Sequence, residues 1–518
     1  MKIKLVTIEE GIGAVGSRKM ASFIRSINHD IQSYFIPLTS RLDISAALGI
    51  KKEEELYLDS ENIRKIAEAL IDADIIGFSS YTVGANLTKR IIKQIRAIDP
   101  RVYIIWGGVH CIMDPEDAIL HANAICTGEG EFAFKNFLID FQNGGDFYKT
   151  KNFWFKKNEE IIRNSFLPLA TNGEMDNFPF PEYAGEEMIF SKGKGFSPMN
   201  VKDYIGLSGL AYNTVWSIGC PYRCSFCGNT KFIANDKNYT KLRYPSVDYL
   251  IRQVKDAVSK HPHIGVVVFH DDSFMAIPKR VLSEFAARWK QDINLPFCAL
   301  GVIPSFVREE KFNILVDAGM NRIRMGIQSG SDRILEFYER PNKPGLIESA
   351  TSIIGKFKSK MIPPAYDIIV DNPVETKLDV QETLKLLYRI HRPFTLNVFS
   401  LRIIPNSRLE KQLASLNFNI GDIASTYLSH EPTLANVMVY ILTFWKPPEK
   451  IFAIALKYCK PFKTKQPQFP FLLIVVRSLY LIARVYHHIR YKDFSLISGR
   501  ASWFFWKWKR FKDGILGY

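Results

Sequence analysis

A chain of 518 residues is too long for one compact core, so two or three domains are expected. Hydrophobic residues make up 47% and charged residues 23%, a globular balance that excludes a disordered chain. The net charge of +15 is concentrated at one end: residues 441–518 hold 15 Lys/Arg against three Asp/Glu. The other 440 residues are nearly neutral, which excludes a nucleic-acid-binding body, and no nucleic-acid partner is expected.

The opening "MKIKLVTIEEG" has too short an apolar run for a signal-peptide core and reads as a first β-strand, so a cytoplasmic location is expected. Residues 1–140 then alternate short aliphatic runs with amphipathic helical stretches. The runs are "KIKLVTI", "IQSYFIPL", "ADIIGFSS", "RVYIIWGG" and "ANAICTGEG"; the helices include "ENIRKIAEALID", "ANLTKRIIKQIRAI" and "EFAFKNFLIDF". This predicts an α/β, doubly wound parallel sheet, Rossmann-like in kind. Its strand ends carry small residues (Ser79-Ser80, Gly107-Gly108, Gly128, Gly130), where a bulky ligand could approach the backbone. A near-match to the dinucleotide fingerprint, "GIGAVG" from Gly11 to Gly16, has no acidic residue after the second strand to hold a ribose.

Residues 141–211 break the alternation. "NFWFKKNEEIIRN" predicts a hairpin turning at Lys157-Asn158, and "DNFPFPEY" lies in a Pro/Gly-rich tract read as a connector with little core of its own. Over 212–410 six strand-like runs return, each reached through a crossover helix: "NTVWSIG", "IGVVVFHDD", "PFCALGVI", "RIRMGIQS", "PAYDIIVD" and "TLNVFSL". They predict a partial (βα)6 barrel of the TIM type, with chemistry at the carboxyl ends of the strands. Residues 411–518 form a basic, aromatic-rich helical region.

Seven cysteines, an odd number, do not suggest a disulfide framework, and three of them cluster in "SIGCPYRCSFCGN" as Cys220, Cys224 and Cys227. They follow the first barrel strand directly, at the mouth. Three thiolates can hold three irons of a cubane, leaving the fourth open to a ligand that is not protein. Arg223 would offset the cluster's negative charge, and Phe226 offers a flat face beside the last thiol. A zinc site would need a fourth ligand from His261, His263 or His270, whereas structural zinc usually arrives as paired CxxC units.

The CxxxCxxC loop with its aromatic, directly after the first strand of a six-stranded βα barrel, resembles the radical S-adenosylmethionine (SAM) superfamily. The resemblance implies a 4Fe-4S cluster held by Cys220, Cys224 and Cys227, with SAM on the open iron cleaved reductively to a 5′-deoxyadenosyl radical. It continues in "FHDDSF" (269–274), "RIRMGIQSGSDRIL" (322–335), "DNPVETKLD" (371–379) and "RIIPNSRLE" (402–410). Gln328 stands where Glu is commoner, and Asp371 and Val374 replace two glycines. On this implication Phe226, Asp271, Asp272 and Ser273, with Arg324 and Gln328 of the fourth strand, line SAM. As residues alone, the two aspartates would also serve as helix caps.

The strand ends "GFSSYT", "WGGVH" and "TGEGE", followed by "DNFPFPEY", look like the cobalamin-binding domain that precedes the barrel in one radical-SAM subgroup. Cobalamin is then implied at Ser80, Tyr81, Thr82, Gly107, Gly108, Gly128 and Gly130. No D-x-H-x-x-G follows the first strand, which implies cobalamin without that lower histidine. His110 is the nearest substitute, though a histidine after a glycine pair is more often a hydrogen bonder. The same resemblance covers C-methyltransferases and the anaerobic magnesium-protoporphyrin ester cyclase type. It implies methylation of an unactivated carbon of a hydrophobic substrate, or alternatively cyclisation or rearrangement of a porphyrin or isoprenoid. Electrons would come from a low-potential donor such as flavodoxin or ferredoxin. A non-catalytic cobalamin or redox sensor is a further alternative.

In the tail, "FPFLLIVVRSLYLIARVYHHIRY" is apolar but interrupted: only 11 residues separate Lys465 from Arg477, short of a membrane span. Arg477 and Arg484, seven apart, are expected on one helix face above a greasy surface. With "ASWFFWKWKRFKDG", the composition suits a helix lying on the inner face of an anionic membrane, or else a helical cap on the barrel. Single-stranded RNA binding is a third reading.

Overall fold

A computed structural model describes residues 1–9, 13–27, 30–38, 58–181, 187–418, 430–496, 503–504 and 506–508. Part of "GIGAVG" (Gly11 and Ile12), the end of "DNFPFPEY" and all of 509–514 lie outside the described residues.

The first sheet is built on β1 (Lys2–Glu9), whose six central residues are all buried, as in a strand covered on both faces. It pairs in parallel with β2 (Asp30–Pro37) on one side and β3 (Ile75–Ser80) on the other. Beyond β3 lie β4 (Tyr103–Gly107) and β5 (Ala124–Cys126), also parallel. The chain thus reverses direction of winding between β1 and β3, which opens a crevice at their carboxyl ends. Helices cover both faces, with Val15–Arg25 and Gly130–Gln142 on one and two amphipathic helices together on the other. One is Ala85–Ile98, which buries Leu87, Ile91, Ile92 and Ile95. Another is Ser60–Glu68, whose first turn is capped by Asp59 accepting from the Asn62 amide at 2.9 Å.

The stretch expected to be a bare connector is part of this sheet. β6 (Phe153–Lys157) and β7 (Glu160–Arg163) form the hairpin and extend the sheet beyond β5. β8 (Met188–Ser191) pairs with β2, and β9 (Gly195–Pro198) closes that edge, giving the order β7-β6-β5-β4-β3-β1-β2-β8-β9. Phe153 and Phe155 are fully buried and stack on Phe137, so this stretch brings core with it. Pro and Gly density hid a two-residue alternation too short to stand out.

The second sheet runs β10 (Ala211–Thr214), β11 (Val266–Phe269), β12 (Phe297–Val302), β13 (Met320–Gln328), β14 (Ala365–Val370) and β15 (Thr395–Ser400). All are parallel and in sequential order. Neighbouring parallel strands require crossovers, and capped helices supply them. Ser246 caps Val247–Lys260, and a Thr376/Asp379 capping box starts Lys377–Arg389. Between strands and helices Trp216, Phe269, Phe285, Trp289 and Phe297 make a fully buried aromatic cluster.

The C-terminal region caps this barrel in two ways. Helix Leu434–Phe444 lies against the outside, where Asn436 donates to Asp371 at 2.8 Å. The segment around Asp493 closes the floor: Asp493 pairs with Arg322 at 3.0 Å, and the Leu210 amide donates to the Ser495 carbonyl at 2.7 Å. Leu496 packs among Ala211, Val266, Val268 and Cys298 inside. Helix Pro470–Arg490 is continuous over 21 residues despite its arginines. Arg477 is only 6% exposed and turns inward over the Tyr440 ring, whereas Arg484 is exposed and lies over Tyr480 of its own helix. The two arginines therefore do not share the expected outward position: one is packed against an aromatic ring of the neighbouring helix, and the other lies at the surface.

Candidate functional site

The cysteine loop is held by the strand that follows it in space. Asp271, just after β11 and 2% exposed, accepts from the Trp216 amide at 2.9 Å, the Ser217 amide at 2.7 Å and the Ser217 hydroxyl at 2.5 Å. Burial lifts its carboxyl to about 6 against these hydrogen bonds. Ser273 donates to the Gly219 carbonyl at 3.1 Å. Gly219 itself has φ +110°, and a Cβ there would lie 2.5 Å from the Lys241 carbonyl oxygen, so the turn into Cys220 admits only glycine. Asp271 and Ser273, expected along SAM, both have side-chain bonds inside the fold. Asp272 is the acidic residue that faces the thiols.

Cys220 and Cys224 are 7% and 6% exposed, and Cys227 is partly exposed. The Cys227 amide donates to the Cys224 carbonyl at 3.0 Å, which turns the last two thiols toward the first. Burial pushes Cys220 up to about 11 and Cys227 to about 12, and the Asp272 carboxylate and the neighbouring thiols push the same way. Three thiols of one loop, two buried and one partly exposed, stand beside a carboxylate and form a donor set whose ionisation a cationic guest would favour. Each thiolate could take one iron of a cubane, with Arg340 beside Cys224. The residues therefore fit a 4Fe-4S group.

The cation beside them is Arg340 rather than Arg223, which is exposed. Arg340 Nη1 is 3.6 Å from Cys224 Sγ, and its Nη2 donates to the Gly326 carbonyl at 2.6 Å. Nothing in the sequence singles it out, because it lies in an irregular stretch after the fourth strand and belongs to no motif. Phe226 packs edge-on against Tyr338 at 5.1 Å. Gln328 ends β13 at φ +74° and folds over Gly326 beside Arg340. Arg324 donates from Nε to both Asp367 oxygens at 2.7 and 2.9 Å; Asn397 donates to the same carboxylate at 2.9 Å. These three residues of β13, β14 and β15 form a polar strip on the inner wall.

The first domain presents its strand ends to this mouth. Arg243 donates to Glu129 at 2.5 Å and to the Ala170 carbonyl at 2.8 Å; Asn406 donates to the Met113 carbonyl at 3.0 Å. Tyr81 is 51% exposed, yet its hydroxyl pKa is raised by lost solvation and by the carboxylates of Glu9, from its own domain, and Asp272, from the barrel. It therefore stands in a crevice walled by both domains. Gly108 has φ +87°, and a Cβ on it would lie 2.9 Å from both backbone N and O of Ser80. A Cβ on Gly128 would meet Asn152 at 2.8 Å. This is a cradle of bare backbone, and Thr82, Gly107 and Gly130 stand at the same strand ends. Ser80 is 3% exposed and its hydroxyl accepts from Trp106 Nε1 at 3.0 Å. His110 is buried, with Nε2 bonded to Asp117 at 3.0 Å and its ring against Trp106, and burial lowers its pKa.

At the rim after β14, Asp371 adopts φ +59° and accepts from Ser400 at 2.9 Å, the Glu431 amide at 3.2 Å and Asn436 at 2.8 Å. Asp tolerates the left-handed region better than most residues, which explains how it replaces a glycine here. Lost solvation, then Asp371 and Asp379 nearby, lift Glu375 from 4.5 to about 8. Between those values the folded form keeps a proton that the unfolded chain has released, so stability falls as pH rises. Wild type should therefore lose a few degrees of apparent Tm relative to Glu375→Gln between pH 5 and about pH 8, measured by calorimetry at several pH values. A constant gap between the two proteins would contradict it.

An open parallel barrel with three clustered thiols at its mouth, facing a doubly wound domain across one crevice, defines an enzyme class that works through bound cofactors. The radical SAM superfamily model matches residues 214–387, and the B12 binding domain model matches residues 46–138. The chain therefore carries a radical SAM domain with a B12-binding domain ahead of it, and its cofactors are a 4Fe-4S cluster, SAM and cobalamin. An uncharacterised methyltransferase of Pyrococcus horikoshii, PH0819, is 25% identical over 340 residues, 64% of this chain and 68% of that protein. The anaerobic magnesium-protoporphyrin IX monomethyl ester cyclase of Synechocystis is 22% identical over 306 residues, 57% of this chain. The chain spans only 56% of that cyclase's length. In fold, the chain matches the cobalamin-dependent SAM radical enzyme OxsB, solved with aqua-cobalamin and SAM bound. The TM-score is 0.64 at 15% identity, covering 99% of this chain and 75% of the other.

Proposed function

We propose that this chain is a C-methyltransferase that modifies an unactivated carbon of a hydrophobic substrate. The observation that carries the reading is the contact between the two domains: Asn406 and Asn235 of the barrel donate to the Met113 and Thr127 carbonyls at 3.0 and 3.4 Å, so the B12-domain strand ends stand opposite the cysteine loop. Bound there, the cluster with SAM supplies hydrogen-abstracting radical chemistry, and cobalamin supplies a transferable methyl group.

The residues' own work is to bind, orient and exclude water. Cys220, Cys224 and Cys227 would hold the cluster, and Arg340 would offset part of its negative charge. Asp272 and Gln328 would bound the SAM site, and the backbone at Gly108 and Gly128 would let the corrin approach. Asp493 and Leu496 close the barrel floor, so substrate and solvent have to share the mouth. The partly exposed Leu300 and Phe399, alternating with the Arg324–Asp367–Asn397 strip, suit a largely apolar molecule with one polar end. A low-potential donor of the flavodoxin or ferredoxin kind would supply the electron.

The test is anaerobic reconstitution with reductant and methyl-labelled SAM. Formation of 5′-deoxyadenosine together with labelled methylcobalamin is the expected result. 5′-Deoxyadenosine without label on cobalamin would favour a cyclase or rearrangement enzyme, as the Synechocystis relative suggests. Absence of both would leave a sensor.

A further inference from the structure

The outward face of helix Pro470–Arg490 is the longest exposed apolar surface among the described residues. Phe471 is 78% exposed, Leu472 39%, Leu479 45%, Ile482 64%, Tyr486 56% and Ile489 58%. Their spacing of three, four and seven residues puts them on one side of the helix. Leu473, Val476, Arg477 and Tyr480 occupy the other side and are buried against the barrel. Tyr480 donates its hydroxyl to the Leu396 carbonyl of β15, which pins the helix along the domain surface. Exposed apolar side chains recur within 503–508, where Phe504 is 67% and Trp508 59% exposed beside Lys507.

We propose that this face lies in the headgroup region of an anionic lipid bilayer and holds the enzyme on the membrane surface without crossing it. Charge decides the occupant. Lys463 and Lys465 precede the helix, Arg490 and Lys492 end it, and residues 441–518 carry 15 Lys/Arg against three Asp/Glu. One of those three acids, Asp493, is already neutralised by Arg322. A greasy strip about 30 Å long with cations at both ends matches lipid tails bordered by phosphates. A second copy of the chain would instead set cations against cations. The helix has the length to span a bilayer. Its attachment to β15 rules that out, because lipid cannot surround a helix whose inner face is bonded into a soluble barrel. The proposal does not depend on which reaction the enzyme catalyses.

The experiment is co-sedimentation of the full-length holoprotein with vesicles of phosphatidylcholine alone, and of phosphatidylcholine with about one third phosphatidylglycerol. It is repeated at about 0.1 M and about 0.5 M salt to screen surface charge. Partition into the anionic vesicles at least about tenfold above the neutral ones is expected, weakening at the higher salt, since each nearby Lys/Arg contributes about 1 kcal/mol. The double variant Leu479→Glu/Ile482→Glu should stay in the supernatant while keeping wild-type cluster content and circular dichroism. Three results would each overturn the proposal: equal pelleting of wild type and variant, resistance of the bound protein to alkaline carbonate, or a concentration-dependent dimer that the double variant abolishes while vesicles bind neither protein.

Discussion

Replacing any one of Cys220, Cys224 or Cys227 by alanine is expected to abolish the iron–sulfur absorbance and SAM cleavage together. Groups that act as a unit fail as a unit, so each single variant should fall about as far as the triple variant. The fold should survive, because the thiols themselves anchor little of it. The loop is held by Asp271 on Trp216 and Ser217, by Gly219 against Lys241, and by the Cys220 amide donating to the Tyr239 carbonyl at 3.2 Å. Iron quantification, electron paramagnetic resonance and 5′-deoxyadenosine assay check this, with cobalamin content as the internal control. A variant with full iron and normal 5′-deoxyadenosine would remove that cysteine from the ligand set.

Gly108→Ala should lose cobalamin by at least about tenfold while the cluster remains. Two costs act at this position. Its backbone, at φ +87° and ψ −176°, lies in a region open essentially to glycine and costs any other residue about 1–3 kcal/mol, and the Cβ would meet backbone N and O of Ser80 at 2.9 Å. Backbone of a central strand cannot move aside as a side-chain tip can, so the loop itself must shift into the space meant for the corrin. Gly144→Ala separates the two costs. Gly144 has φ +66° in the same domain with nothing within 4 Å, so its variant carries the strain without the collision. Cobalamin retained by Gly144→Ala and lost by Gly108→Ala, read from the visible spectrum, is the expected pair. Equal retention by both would show that the ligand does not approach the β4 end.

What could be read directly in the residues was local. The CxxxCxxC spacing, the aliphatic runs of β1, β3 and β4, the six barrel runs and the basic aromatic tail are all patterns within one or two elements. For that reason the class of protein, the order of its domains and its three cofactors were legible before any coordinates. The β6–β7 hairpin was legible at its turn, but its joining of the sheet through β5 was not. Strands β8 and β9 went unread because they are four residues long, and what makes them strands is pairing with β2 rather than any strong pattern of their own.

Only the folded arrangement decided which polar groups face the chemistry. Asp271 and Asp272 are adjacent in sequence, yet one hydrogen-bonds to Trp216 and Ser217 just after β10 and the other faces the thiols; Arg340, more than a hundred residues from Cys224, supplies the cation that Arg223 was expected to provide. The tail divided in the same way: its composition foretold an amphipathic helix, while its orientation depended on Tyr440 offering a ring face to Arg477 and on Tyr480 bonding to the Leu396 carbonyl. Periodicity along a chain states which side of an element is apolar. Whether that side meets core, ligand or lipid is set by distant segments that compete for it during packing, and that competition leaves no mark on any short stretch of residues.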